Sequence, residues 1–172
     1  IGYGTYKKYT RDINKPLFNR AISGLYPSGS TLKMAIAASA LQEGIITPNT
    51  TFLSTGGINV GPWIFPDWRG GGHGATNVRK SLAQSVNTFY YYIGGGYKDF
   101  NGMGVDTITS YLKLFGFAKK LKIDLPGESP GFLPSKEWKK ETKGERWYVG
   151  DTYNLSIGQG DDVIVPTFSH SA

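Results

Sequence analysis

Tyr26-Pro27-Ser28-Gly29-Ser30-Thr31-Leu32-Lys33, running on into Met34-Ala35-Ile36-Ala37-Ala38-Ser39-Ala40-Leu41, is the stretch from which the fold can be read. Its first half is a turn. Pro27 fixes its own φ, and Gly29 permits backbone conformations that other residues avoid. Its second half is rich in good helix formers, so a helix is expected over 30–44, stopped by Gly44 with Pro48 just beyond. That helix is apolar nearly all round, as a buried central helix would be. Ser30 and Lys33 are three apart and share a helix face. A serine hydroxyl is a weak nucleophile until a base takes its proton. A lysine can be that base once burial lowers its pKa and leaves it neutral. The helix start adds outward-facing N–H groups that can stabilise an oxyanion.

Ser-x-x-Lys alone is a common pattern, with about one chance match expected in a chain of this length. A second copy is present, Ser110-Tyr111-Leu112-Lys113. There Ile108, Tyr111, Leu112 and Phe115 trace the buried stripe of an amphipathic helix over 106–117, and Ser110 falls mid-helix, where its hydroxyl bonds to the preceding turn. Spacing alone leaves Ser30 two readings, a nucleophile or a simple N-cap.

The chain has 172 residues, enough for one domain with a real core, and 39% of them are hydrophobic. With no cysteine there is no disulfide and no thiolate metal site. The net charge of +6 is spread over small lysine groups that read as solvated faces, so nucleic-acid binding is not expected. No apolar run approaches the ~20 residues of a membrane span.

Along the chain, residues 1–20 interleave Tyr3, Tyr6 and Tyr9 with Lys7, Lys8 and Arg11, and are expected to be an extended lead-in. Residues 47–72 are loop-like and carry Trp63, Phe65 and Trp68, which either line a cleft or cover the core. The glycine run before His73 lacks the strand and the Gly-Lys-Ser/Thr ending of a phosphate loop. One helix is expected from Thr76 or Asn77 to the Gly94-Gly95-Gly96 stop, with Val78, Leu82, Val86, Phe89, Tyr90 and Ile93 on its apolar face. Residues 136–143 are polar, residues 147–157 alternate loosely like a strand, and Val163-Ile164-Val165 form a short apolar segment.

Ser30-x-x-Lys33 followed by Ser85-x-Asn87 is far more specific than either motif alone. Further strings fall in order: Asn14-Lys15-Pro16-Leu17-Phe18-Asn19-Arg20-Ala21, Asp67-Trp68 before Gly72-His73-Gly74, Ile123-Asp124-Leu125-Pro126-Gly127-Glu128 with Gly131-Phe132-Leu133-Pro134, and Gly150-Asp151 with Ser156-Ile157-Gly158-Gln159-Gly160. Together they closely resemble the transpeptidase domains of the penicillin-binding protein 2 family, the class B peptidoglycan D,D-transpeptidases of bacterial cell elongation.

The resemblance implies an α+β fold of the serine β-lactamase/transpeptidase type, here mainly its helical lobe with the central antiparallel sheet incomplete. It implies Ser30 as the acylated nucleophile and Lys33 as its general base. Ser85 would relay a proton to the leaving amine. Asn87 would bind the donor peptide and help place Lys33, with Gly158 and Gln159 also on the substrate side. The donor would be a stem peptide ending in D-Ala-D-Ala and the acceptor an amine of a neighbouring stem, with β-lactams blocking Ser30. Family partners are elongation-complex membrane proteins, including a glycosyltransferase, and the family setting is the outer face of the cytoplasmic membrane. A β-lactamase or a β-lactam-sensing receptor domain of the same fold is the alternative reading. The Leu125-Pro126-Gly127-Glu128 and Ser156-Ile157-Gly158-Gln159-Gly160 strings favour the transpeptidase.

The chain departs from the family pattern in several places. Ser28 and Met34 stand where proline is common, and neither replaces a reacting group. Some relatives hold zinc through an Asp and a His of the loop and a cysteine between the Ser and Asn or Asp of the second motif. Asp67 and His73 match the first two, but Val86 occupies the cysteine position, so no metal or other cofactor is expected. The third motif, Lys-Ser/Thr-Gly, does not occur; Thr142-Lys143-Gly144 has the wrong order. Residues 1–172 are therefore expected to be part of one transpeptidase domain, without the membrane anchor, the pedestal or the third-motif strand. Alone, the chain is expected to be weakly active or inactive, because each missing oxyanion donor costs roughly 10²–10³ in rate.

Overall fold

The computed structural model describes residues 2–161; the apolar segment Val163-Ile164-Val165 lies outside them. Helices α1 (Tyr3–Arg11) and α2 (Arg20–Ser23) lead into a 3₁₀ turn, Gly29–Leu32, that continues as α3 (Lys33–Gln42). Strands β1 (Thr51–Ser54), β2 (Gly57–Val60), β3 (Trp63–Pro66) and β4 (Gly74–Asn77) follow, then helices α4 (Val78–Ala83), α5 (Asn87–Gly95), α6 (Gly104–Leu114), α7 (Lys136–Lys143) and α8 (Val149–Ser156). Helices thus dominate the described residues. The strands form two small antiparallel pairs, β1 with β4 and β2 with β3.

α5 is the element the others pack around. Thr88, Phe89, Tyr90, Tyr91, Ile93 and Gly94 are all buried on it, against Leu32, Ile36 and Ala40 of the α3 side, Ile108 and Leu112 of α6, and Leu155 of α8. Each large apolar side chain that leaves water here contributes about 1.5–3 kcal/mol. Phe52 of β1 stacks on Tyr92 with ring centroids 4.4 Å apart, tying the outer strand pair to the same helix. α3 is less central than its composition implies. Ile36, Ala37 and Ala40 are buried, but Met34 is 58% exposed.

Several elements differ from their sequence reading. The lead-in is helical, not extended: Tyr3, Tyr6 and Tyr9 have helical spacing, and α1 forms without a single buried residue. The loop-like segment is two nested hairpins whose strands are only four residues long, too short for alternation to register. It both covers the core, through buried Ile58, and lines a cleft, through exposed Ile64 and Trp68. Of the glycines before His73, Gly72 serves close packing: a Cβ there would lie 2.3 Å from the Ser54 carbonyl oxygen.

The single helix expected from Thr76 is two helices. Asn77 caps the first, accepting from Lys80 N at 2.9 Å. The chain then breaks at Gln84 and Ser85, where Ser85 takes a left-handed φ of 51°, and Leu82 is left exposed. Residues 147–157 are not a strand. The Asp151 carboxylate accepts from Tyr148 N at 2.7 Å and starts α8. That helix packs closely on α5 because Gly94 and Gly95 leave room for Ser156 and Tyr153. The amphipathic helix of the second Ser-x-x-Lys is present as α6. Ile108 and Leu112 are buried, Phe115 lies beyond its end and is exposed, and Ser110 and Lys113 face solvent.

Candidate active site

Ser30 lies inside the 3₁₀ turn and Lys33 is the first residue of α3, so the tighter winding carries the serine out of the regular helix. Two contacts brace this turn. Thr31 Oγ1 donates to Ser28 O at 2.7 Å, and Gly29 N donates to Gly158 O at 2.7 Å. Gly158 has φ +69°, and a Cβ there would lie 2.0 Å from Gly29 O. The end of α8 thus sets the position of the turn that presents Ser30. Ser30 itself is exposed, while Lys33 is 2% exposed.

The Lys33 amine reaches across to the start of α5. Nζ donates to Ser85 O at 2.8 Å, to Ser85 Oγ at 3.0 Å and to Asn87 Oδ1 at 2.6 Å. Its fourth neighbour is the face of the Tyr90 ring, 5.2 Å from Nζ. Ser85 Oγ in turn donates to Ser30 Oγ at 2.9 Å. The left-handed backbone of Ser85 lets one residue offer both its carbonyl and its hydroxyl to the same amine.

Burial pushes Lys33 down from 10.5 to about 8, with the nearby negative charge of Asp67 drawing it partly back up. An ammonium has three protons, and they match the three acceptors around it. Loss of one leaves two for Ser85 O and Asn87 Oδ1, and turns the lone pair toward Ser85 Oγ, the hydroxyl that touches Ser30. Tyr90 and Tyr91 are pushed up to about 12, chiefly by burial, so neither phenol competes as a base.

The structure brings Ser30, Lys33, Ser85 and Asn87 into one hydrogen-bonded chain. Gly158 braces the serine turn. Gln159 lines a cavity of about 480 Å³ beside Asn87, together with Ile64, Trp68, Tyr91 and Asn154. Asp67 and His73 lie next to this chain and not in it. Asp67 is buried and accepts from Ser54 Oγ at 2.8 Å, from Asn87 N at 2.5 Å, and from both the backbone and the hydroxyl of Thr88. His73 is buried edge-on against Trp68, with ring centroids 5.2 Å apart, and its ring nitrogens have no hydrogen-bond partner among the described residues. These residues do not fit a zinc ion. Both Asp67 oxygens are engaged, Val86 offers no ligand atom, and no group of three or more His, Cys, Asp or Glu with metal-binding spacing occurs among the described residues. Sequence reasoning missed the parts played by Ser54, Thr88 and Tyr90, and no short-range pattern marks them.

A serine hydroxyl, a second serine and a depressed lysine amine, linked in series at a helix start, are the parts that acyl transfer through a serine ester requires. The chain belongs to the family described as the penicillin binding protein transpeptidase domain, which matches residues 3–167. It is 41% identical over 173 residues to the peptidoglycan D,D-transpeptidase MrdA of Salmonella typhimurium, covering 96% of this chain and 26% of that protein. It is 39% identical over 162 residues to the Escherichia coli K12 protein of the same name, covering 90% and 24%. The chain thus spans about a quarter of the length of these curated relatives. Among solved structures, Pseudomonas aeruginosa PBP2 in complex with WCK 5153 superposes with a TM-score of 0.87 at 32% identity, covering 98% of this chain and 38% of that one. Helicobacter pylori PBP2 in complex with MreC gives 0.87 at 35% identity, covering 98% and 31%. The α+β transpeptidase fold read from the sequence agrees with both.

Proposed function

We propose that this chain carries the nucleophile half of a peptidoglycan D,D-transpeptidase site, and that residues 1–172 are part of one transpeptidase domain. The observation that carries this reading is the series Lys33 Nζ–Ser85 Oγ–Ser30 Oγ, with links of 3.0 and 2.9 Å and an amine held near 8. Neutral Lys33 takes the Ser30 proton, through Ser85 where the hydroxyls are in line. Ser30 Oγ bonds to the penultimate D-Ala carbonyl carbon of a stem peptide. The tetrahedral oxyanion collapses, the C–N bond breaks, and the departing D-Ala nitrogen receives a proton from Ser85 Oγ, replenished from Lys33. In the second half, a neighbouring stem amine attacks the ester, gives its proton to the same chain, and Ser30 leaves with its hydroxyl restored. Asn87 holds Lys33 by Oδ1, and the cavity bounded by Asn87 and Gln159 suits an extended peptide donor.

β-Lactams would acylate the same hydroxyl. Elongation-complex membrane proteins are the partners that fit, a reading supported by the MreC complex of the H. pylori relative. The setting that fits is the outer face of the cytoplasmic membrane. No helix among the described residues is long and apolar enough to cross a membrane.

The test is intact mass after incubation with benzylpenicillin, with Ser30→Ala as control. The expected result is one adduct that the substitution removes. An adduct that survives Ser30→Ala overturns the assignment of the nucleophile. Rapid multiple turnover of the drug would instead favour a β-lactamase.

A further inference from the structure

α5 begins at Asn87, and its N-cap is Val86, which has no side-chain oxygen to accept the first free N–H groups. Those groups are satisfied from twenty residues away. Asp67 Oδ1 accepts from Asn87 N at 2.5 Å, and Oδ2 accepts from Thr88 N at 3.3 Å and from Thr88 Oγ1. Ser54 Oγ donates to Oδ2 at 2.8 Å and itself accepts from His73 N at 3.1 Å. A buried carboxylate has no water to bond and needs such donors within the protein.

The same contacts fix Asn87 on several sides. Its backbone N–H is held by Asp67, its Nδ2 donates to Pro66 O at 3.3 Å, and its Oδ1 is left to receive Lys33 Nζ. Val86 at the start of this helix supplies neither a cap nor a metal ligand. The carboxylate supplies what is then missing.

We propose that Asp67, seated by Ser54 and Thr88, is a metal-free clamp on the start of α5, a positioning residue that aims Asn87 at Lys33. The assignment of Lys33 as base rests on the function proposed above; the clamp itself is a claim about α5. Asp67 touches no reacting group: it acts by contact through Asn87 and, at longer range, through its charge on Lys33. Its loss therefore slows the chemical step without removing any group that touches the donor.

The test uses the native protein that carries this chain, comparing Asp67→Asn, Thr88→Val and Thr88→Ser with the unsubstituted form. Three quantities are read: amide hydrogen exchange across 86–93, the acylation rate at saturating benzylpenicillin, and bound zinc by native mass spectrometry after zinc is added and excess removed. In Asp67→Asn, exchange at the start of α5 speeds up and the saturated rate falls about 10²-fold, as a small misplacement of a catalytic group does. The drug concentration for half-maximal rate stays the same. Thr88→Val lowers the rate and Thr88→Ser, which keeps the hydroxyl, restores it. No zinc is retained. An unchanged rate in Asp67→Asn overturns the proposal, as does stoichiometric zinc that His73→Ala releases. If the unsubstituted protein forms no adduct, the proposed function fails. The exchange and zinc readouts then decide the clamp: unchanged exchange in Asp67→Asn overturns it, and faster exchange with no zinc supports it.

Discussion

Lys33 Nζ lies 2.6 Å from Asn87 Oδ1, the shortest of its three hydrogen bonds. A neutral amide at that distance holds the amine without adding charge to a site where burial is lowering its proton affinity. Asn87→Asp puts a carboxylate there instead. A negative charge favours the ammonium form, so the pH at which Lys33 becomes a base moves upward, by roughly one pH unit or more. Stopped-flow acylation by a chromogenic cephalosporin between pH 6 and 10 reads this as a displaced rate limb. A limb that stays in place would show that Lys33 is not the group titrating.

The unsubstituted protein sets the reference for that shift. Lys33 is held at about 8, mainly by burial and against the pull of Asp67. The base is the neutral amine, so the acylation rate falls about tenfold per pH unit below 8 and levels off above it. The stability consequence has the same direction. The folded value is below the free value of 10.5, so between about 8 and 10.5 the unfolded chain holds a proton the folded chain has released. This group's contribution to stability therefore rises with pH across that window. Urea unfolding at pH 7.5 and 9.5, compared with Lys33→Met, isolates it.

What the sequence made legible was the chemistry carried by short spacing. Ser30, Lys33, Ser85 and Asn87 sit in two tight motifs, and each motif fixes its own residues relative to one another. What it hid was the backbone that joins them. Nothing between Thr76 and Gly96 marks the break that makes α4 and α5: Gln84, Ser85 and Val86 include neither glycine nor proline. The left-handed turn at Ser85 is held by tertiary contacts, from Lys33 on one side and Asp67 on the other. Residues 147–157 misled for a related reason. Tyr153, Leu155 and Ile157 alternate, yet they lie on or just beyond a helix whose Tyr153 and Ser156 fit only because Gly94 and Gly95, some sixty residues earlier, leave them room. Asp67 looked like half a metal site because its donors, Ser54 and Thr88, are far off in the chain.

Gly94 and Gly158 mark two close approaches with different consequences. A Cβ on Gly94 would lie 1.8 Å from Ser156 Oγ, inside the α5–α8 contact. Gly94→Ala is expected to cost about 1–3 kcal/mol through overpacking, read as a melting temperature lowered by several degrees. Gly158→Ala strikes the backbone of the turn before Ser30, where Gly29 O would be 2.0 Å from the new carbon. Its larger effect is on acylation, about 10²-fold for a displaced nucleophile. Calorimetry and penicillin labelling on the same two variants separate the cases; equal rate losses would deny Gly158 its bracing part.

Ser85 itself offers the cleanest separation of strain from chemistry. A serine at φ 51° costs of order 1–3 kcal/mol relative to a residue free to adopt it. Glycine adopts that conformation freely, so Ser85→Gly relieves the strain while removing the hydroxyl that joins Lys33 to Ser30. The lost hydroxyl bonds are partly open to solvent and return less than the strain. The melting temperature of Ser85→Gly is expected to exceed that of Ser85→Ala, by about 2–4 °C per kcal/mol relieved. Acylation by benzylpenicillin falls equally in both, by about 10²–10⁴ for a lost proton relay. Matching melting temperatures would mean the turn is not strained, and a rate retained in either variant would place the proton path directly between Ser30 and Lys33.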